Sequence, residues 1–399
     1  MKQLLKTFIL IAILVIGMTG CKNNSRAPEK EVSRETPYNQ EDKDNHEDKD
    51  NQEDKDNQEN KDNQENKDSQ ENDDNYEADP NANQESNKIT DQEEFELKEG
   101  TIESVVYNSK AIAENLMKEN TEKKIHIYLP PSYNESEKEY PVVYFLHGFG
   151  DSTYAFIKLA QRGLDPIFSK DSSKEFIMVG VEGTNSAGGS YYVNSPIIGN
   201  WADYTTKEVV SYIDSNYRTI ANVSSRGVCG FSMGGFGALN LAFLYPDVYG
   251  AVYSMSPGAV AKGDMDEVLD SWKRDFGFLK AYSYAFAYNT TSPYETTPLR
   301  DGSEADNALI ERWESGYGNW KEKLDAYLAL DKPLRAIGLC YGENDNYSWI
   351  PKGTRYLSNL LDEKNIEHTL FTFLGGHSFP GNVIGDHLVP FFQEALVWE

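Results

Sequence analysis

The residues best suited to chemistry sit in "GVCGFSMGGFGAL", Gly227 to Leu239, where a serine stands between glycines as Gly230-Phe231-Ser232-Met233-Gly234. A G-x-S-x-G pattern carries weight only in one setting. A strand must end at the serine and a helix must start directly behind it, because the tight turn exposes the hydroxyl and leaves no room for side chains at the flanking positions. Here the apolar run 227–231 leads into the serine. A helical pattern follows from Gly234 through Ala238, Leu241 and Ala242 to Tyr245, and Pro246 stops it. Gly234, Gly235, Gly237 and Ala238 are small enough to let that helix lie close against a sheet. The setting predicts Ser232 as a nucleophile rather than part of an ordinary glycine turn.

A serine hydroxyl needs a base to take its proton, and the base needs an acid to fix its tautomer. Five histidines lie beyond residue 92. His377, in "FLGGHSF", follows the last strand candidate on a glycine-rich loop and is the expected base. His147, before Gly148 at the end of an earlier strand, is the rival. His126 lies inside a strand, while His368 and His387 flank elements as exposed or capping residues. "CYGENDNY" places Asp345 on a loop just past another strand as the expected acid, with Glu343 as its rival. Two backbone N–H groups, those of Met233 and of Phe149 behind His147-Gly148, are expected to form an oxyanion hole. His147 then shapes that turn.

These groups need a scaffold that brings strand ends together. Strand candidates are 125–129, 142–146, 176–181, 227–231, 251–255, 334–340 and 369–373, most of them continuous apolar runs as in parallel strands covered on both faces. Helical patterns alternate with them. Asp203 reads as the cap of a helix whose Val209, Tyr212, Ile213 and Tyr217 share one face, and Leu357, Leu360 and Leu361 mark another behind Pro351. The chain closes on a third, with Leu388, Phe391, Phe392, Ala395 and Leu396. The alternation predicts an α/β fold, a doubly wound, mostly parallel sheet with helices on both faces. Residues 258–332 break the rhythm with 12 aromatic residues and no strand. They are either a helical cap over the carboxyl edge of the sheet or padding for a core. Cys229 and Cys340 sit in apolar runs and read as small core residues, a disulfide between them being the alternative.

The front of the chain is of another kind. Lys2 and Lys6 precede an apolar run and then Met18-Thr19-Gly20-Cys21, which describes a secretory signal over residues 1–20. Thr-Gly-Cys resembles a bacterial lipobox, so Cys21 is the expected site of lipidation; plain secretion is the alternative. From 39 to 74 six hexads of the NQEDKD type carry sixteen acidic residues and five lysines and no apolar residue. Such a tract cannot bury surface to offset its ordering entropy. Residues 21–92 are therefore expected to be a disordered acidic linker, with a reach on the order of 250 Å when extended. Residues 93–399 make one domain of net charge −16. That charge argues against nucleic acid as a partner.

Taken together, "IHIYLPPSY", "YPVVYFLHGFGD", "GFSMGG", "GEND" and "GGHSF" resemble the esterase D (putative esterase) family of α/β-hydrolases, which includes bacterial feruloyl- and acetyl-type esterases. The resemblance covers about residues 100–399 and puts Ser232, Asp345 and His377 on the family's triad. It implies a serine carboxylesterase working through an acyl-enzyme on an ester substrate, such as an acylated polysaccharide. The expected location is the extracellular face of a bacterial membrane, held there by lipid at Cys21. Acyl transfer to a sugar hydroxyl is the alternative chemistry, and a non-catalytic carbohydrate-binding lipoprotein the alternative class. No phosphate loop, metal-ligand cluster or dinucleotide fingerprint is present, so no cofactor is implied.

If the acidic tract only tethers, a chain beginning near residue 95 should be soluble, monodisperse and fully active on a soluble nitrophenyl ester. Cys21→Ser in the full chain should move the protein out of the membrane fraction at unchanged turnover. A large loss of activity on truncation would show that the repeats do more than set distance.

Overall fold

A computed structural model describes residues 96–272, 276–286, 297–378 and 380–399. The expected signal, Cys21, the acidic hexads and the linker lie outside the described residues. Eight strands form the main sheet: β1 (Thr101–Asn108), β2 (Glu122–Leu129), β3 (Val142–Leu146), β4 (Ile177–Val181), β5 (Arg226–Phe231), β6 (Ala251–Met255), β7 (Ala336–Gly342) and β8 (Thr369–Phe373). Their order is β1-β2-β4-β3-β5-β6-β7-β8. The first two pairings, β1 with β2 and β2 with β4, are antiparallel and all others are parallel. A two-stranded hairpin, Asn194–Ser195 with Gly199–Asn200, stands apart.

The continuous apolar runs follow from burial on both faces. Val142, Tyr144 and Leu146 of β3 join one core, while Val143 and Phe145 join the other. The first core takes helices Met233–Leu244 and Trp349–Glu363, and the second takes Thr153–Lys170 and Val389–Ala395. Each fully buried Val, Leu or Phe in these layers contributes about 1.5–3 kcal/mol.

The register matters for function. Leu146 pairs with Gly230, Phe231 with Met255, and Met255 with Cys340. Strands β3, β5, β6 and β7 therefore end near one another, and the loops that follow them share the carboxyl edge of the sheet.

Two expectations need correction. The helical stretch beginning at Trp201 starts behind Asn200, so Asp203 lies in its first turn instead of capping it. Burial of Trp201 and Ala202 draws the start forward, and the Asp203 carboxylate accepts from Asn194 Nδ2 (3.0 Å) and Lys207 Nζ (2.9 Å). Tyr217 falls beyond that helix, which ends at Asn216. The disulfide alternative is also excluded. Cys229 and Cys340 are free, on β5 and β7 with β6 between them. Two strand spacings of about 4.8 Å exceed the reach of a disulfide.

Insert 258–332 contains the helices Met265–Trp272, Phe276–Phe286, Glu304–Tyr317 and Trp320–Leu328. Trp313, Tyr282 and Trp320 are fully buried in the first core, while Trp272 and Tyr317 reach the carboxyl edge. The segment is both core and cap.

One of the tightest backbone approaches is at the serine turn. A Cβ on Gly234 would lie 1.9 Å from the Leu146 carbonyl oxygen, and one on Gly230 would lie 2.1 Å from the Gly234 oxygen. Gly234→Ala should lower stability by roughly 3 kcal/mol or more, read as a drop in urea midpoint at constant slope. Gly381→Ala, where a Cβ meets nothing within 4 Å, should change it by less than about 0.5 kcal/mol.

Candidate active site

Ser232 sits between β5 and helix Met233–Leu244 with φ 56 and ψ −115. A serine pays about 1–3 kcal/mol for such a conformation and keeps it only where its surroundings dictate it. Three backbone hydrogen bonds do so. Its N–H donates to the Met255 carbonyl (2.9 Å), and its carbonyl accepts from Phe236 N–H (3.0 Å) and Gly258 N–H (3.2 Å). The glycines at 230 and 234 let strand and helix close around it.

His377 arrives on the loop after β8. Its Nε2 lies 2.8 Å from Ser232 Oγ, and its Nδ1 lies 2.7 Å from Asp345 Oδ2. An ionised carboxylate can only accept, so Nδ1 carries the proton and the Nε2 lone pair faces the serine hydroxyl. The Asp345 side chain is fully buried, and its second oxygen accepts from Tyr347 N–H at 2.9 Å. The imidazole is packed by the Phe231 ring (4.9 Å) and edge-on by Tyr347 (5.0 Å). Loops 343–345 and 374–377 are tied by Asn344 N–H to the Gly375 carbonyl (2.9 Å). A Cβ on Gly342 would lie 2.4 Å from the carbonyl oxygens of both Gly375 and Gly376. This arrangement can move a proton from a serine hydroxyl onto an imidazole whose resulting charge is held by a buried acid.

Glu343, the rival acid, points elsewhere and accepts from Thr372 Oγ1 at the exposed side of the loop (2.8 Å). His147, the rival base, is fully buried with both ring nitrogens engaged away from Ser232. Its Nδ1 lies 2.7 Å from the Gly148 carbonyl oxygen, and its Nε2 lies 2.9 Å from Glu182 Oε1 and 2.8 Å from Gly183 N. Burial opposes ionisation of Glu182, yet hydrogen bonds from His147 and Thr184 hold its carboxyl down at about 2. His147 thus clamps the turn that leads to Phe149. His126 is bonded to Thr153 Oγ1 (2.6 Å) within the fold. His368, expected to be exposed or capping, bonds Ser358 Oγ (2.6 Å), and His387, under the same expectation, lies in the last turn of Ile384–Leu388 and stacks on Phe371 (3.6 Å).

The turn at 148–149 lies against the serine. A Cβ on Gly148 would be 3.6 Å from the Ser232 Cβ. The N–H groups of Phe149 and Met233 donate no hydrogen bond to any other described residue, and Met233 opens its helix. Two unengaged donors beside a nucleophile, one with a helix dipole behind it, can receive a developing oxyanion. Gly188 and Gly189 pack on the Phe149 ring and the Met233 sulfur, where any side chain would collide.

Aromatic residues beside Ser232 were not foreseen as site residues. A slot reaches in from the serine, walled by Trp272, Phe278 and Tyr317 of the insert and by Tyr347, Trp349 and Ile350 behind Asp345. Tyr191, with φ 53, completes it. The aromatic run in "NYSWI" directly after Asp345 was the available sequence signal.

Comparison with known proteins gives the family and the fold. A family model described as "Putative esterase" matches residues 117–398. An esterase of Mycobacterium tuberculosis is 27% identical over 265 residues, which are 64% of this chain and 52% of the relative. The chain thus spans about half the length of that curated relative. An endo-1,4-beta-xylanase/feruloyl esterase of Xylanibacter ruminicola is 25% identical over 131 residues, 31% of this chain and 18% of that protein. Among solved structures, a ferulic acid esterase matches with a TM-score of 0.54 at 19% identity, covering 75% of this chain and all of the other. An S-formylglutathione hydrolase from Agrobacterium tumefaciens matches at 0.51 and 17%, covering 75% and 96%. At such identities the likeness is one of fold, and the fold is that of the α/β-hydrolases.

Asp345→Asn should lower nitrophenyl ester turnover by about 10²–10⁴-fold, because the amide favours the wrong imidazole tautomer. Glu343→Gln should change it less than about threefold. Steady-state kinetics on both variants decides, and the opposite ranking would move the acid to Glu343.

Proposed function

The chain belongs to the esterase family, and from that premise we propose that it is a serine carboxylesterase acting outside the cell. The observation that carries the reading is the unbroken line from Asp345 through His377 to Ser232, at 2.7 and 2.8 Å, beside two unengaged N–H groups. In this reading Ser232 Oγ attacks the ester carbonyl while its proton passes to His377 Nε2. Met233 and Phe149 N–H receive the oxyanion, where each donor is worth about 10²–10³ in rate. Collapse expels the alcohol, protonated by His377, and leaves an acyl-serine. Water, deprotonated by the same nitrogen, then releases the acid.

The substrate is a carboxylic ester of the feruloyl or acetyl type, carried on a polysaccharide. The names of the Xylanibacter relative and of the ferulic acid esterase with the same fold support that class. Lipid at Cys21 and the acidic tract to residue 92 would hold residues 93–399 at a distance from the membrane, within reach of an immobile polymer.

Ser232→Ala should fold with an unchanged melting transition and lose about 10⁴–10⁶ of its esterase turnover. A fluorophosphonate probe should label the wild-type chain at Ser232, located by peptide mass. Labelling at a different serine would overturn the assignment.

A further inference from the structure

The slot beside Ser232 has a size, and the size discriminates between acyl groups. Six of its nine lining residues are aromatic, and it contains Ser232 and Met233 but not His377. That asymmetry orients the substrate. The leaving alcohol must lie next to His377 Nε2, which protonates it, so the part of the ester that enters the slot is the acyl group. The cavity measures about 20 Å³. One water needs about 10–15 Å³ by this measure, and an apolar cavity that takes benzene is about 150 Å³. That is room for a methyl group and far less than a ring occupies.

From this we infer that Trp272 and Phe278 close the acyl pocket so that the enzyme accepts a two-carbon acyl group and rejects aryl and longer ones. The inference rests on the serine esterase reading above and narrows its feruloyl or acetyl class to acetyl. Trp272 is 2% exposed and meets Phe278 (5.8 Å between ring centroids), Tyr317 (5.8 Å) and Trp349 (6.0 Å). Phe278 also contacts Phe149, at 4.3 Å. The Trp272 helix is fastened to the segment behind Asp345 by three contacts. Trp349 Nε1 donates to Ser271 Oγ (3.1 Å), Ser348 Oγ donates to Glu267 (2.5 Å), and Lys352 pairs with Asp264 (2.8 Å). These contacts hold the Trp272 helix against the segment behind Asp345. Forcing extra carbons into such a packed site costs at least about tenfold in rate.

The test compares nitrophenyl acetate, butyrate and ferulate, which share one leaving group, each normalised to its uncatalysed hydrolysis. The wild-type enzyme should favour acetate over butyrate by at least about tenfold in kcat/KM and over ferulate by more than about 100-fold. Trp272→Ala should raise the butyrate-to-acetate ratio at least about tenfold. Phe278→Ala, at a half-buried position, should move it the same way and decides the matter if Trp272→Ala does not fold. Wild-type turnover of ferulate as fast as acetate, or folded variants with unchanged ratios, would refute the size limit. Fluorophosphonate labelling of Ser232 separates the two levels. A labelled enzyme without acetate preference overturns only this inference, whereas an enzyme neither labelled nor active overturns the esterase reading and this inference with it.

Discussion

The structure turns on one backbone contact, between the first turn of helix Met233–Leu244 and the end of β3. With hydrogen in place of Cβ at Gly234, the helix backbone rests directly on the Leu146 carbonyl. Nothing larger fits. That contact forces β5 to reverse within one residue, which places Ser232 at positive φ and aims its hydroxyl outward. It also draws the 147–149 turn against the serine, so both candidate oxyanion donors come from the two elements that the glycine brings together. The exposed serine and the unengaged donors beside it are consequences of a single close approach.

The remaining parts are held from the far side of the sheet edge. Asp345 and His377 follow β7 and β8, and their loops are locked by the absence of a side chain at Gly342 and by the bond from Asn344 to Gly375. The insert is bolted to the same region through Trp349, Ser348 and Lys352. The acid, the base and the aromatic wall are therefore one mechanical unit, joined to the serine across β6. A change in the wall that shifted Trp349 would be felt two residues away at Tyr347, whose N–H holds the acid in place.

Strands β3 to β7 were legible because both of their faces are buried, which writes them as unbroken apolar runs such as Val142–Leu146, whereas β2 and the partly exposed β8 were legible from their β-branched and aromatic residues. β1 was not, since it is an edge strand with a mostly exposed pattern and a charged residue, Glu103, among its members. The serine turn was legible because its steric rule leaves glycine as the only choice at two fixed spacings. The choice between Asp345 and Glu343 was not, because two carboxylates two residues apart on a loop differ only in which way the loop turns. In the structure the carboxylate that meets His377 is that of Asp345, which also accepts from Tyr347 N–H, while Glu343 accepts from Thr372. The slot escaped notice for a different reason. Trp272, Tyr317 and Trp349 are brought together from three separate helices, and an aromatic residue at helical spacing has the same pattern whether it lines a cavity or fills a core.

The two thiols on β5 and β7 have a consequence for where the fold can be made. They are kept apart by an intervening strand, and burial pushes the Cys340 thiol up to about 12 and that of Cys229 higher still. Neither forms a thiolate at neutral pH, so neither reacts readily with peroxide or exchanges with glutathione. The described fold owes no part of its stability to a covalent crosslink. With both thiols buried and apart, nothing in the described fold has to be oxidised for it to form, whether the medium is reducing or oxidising.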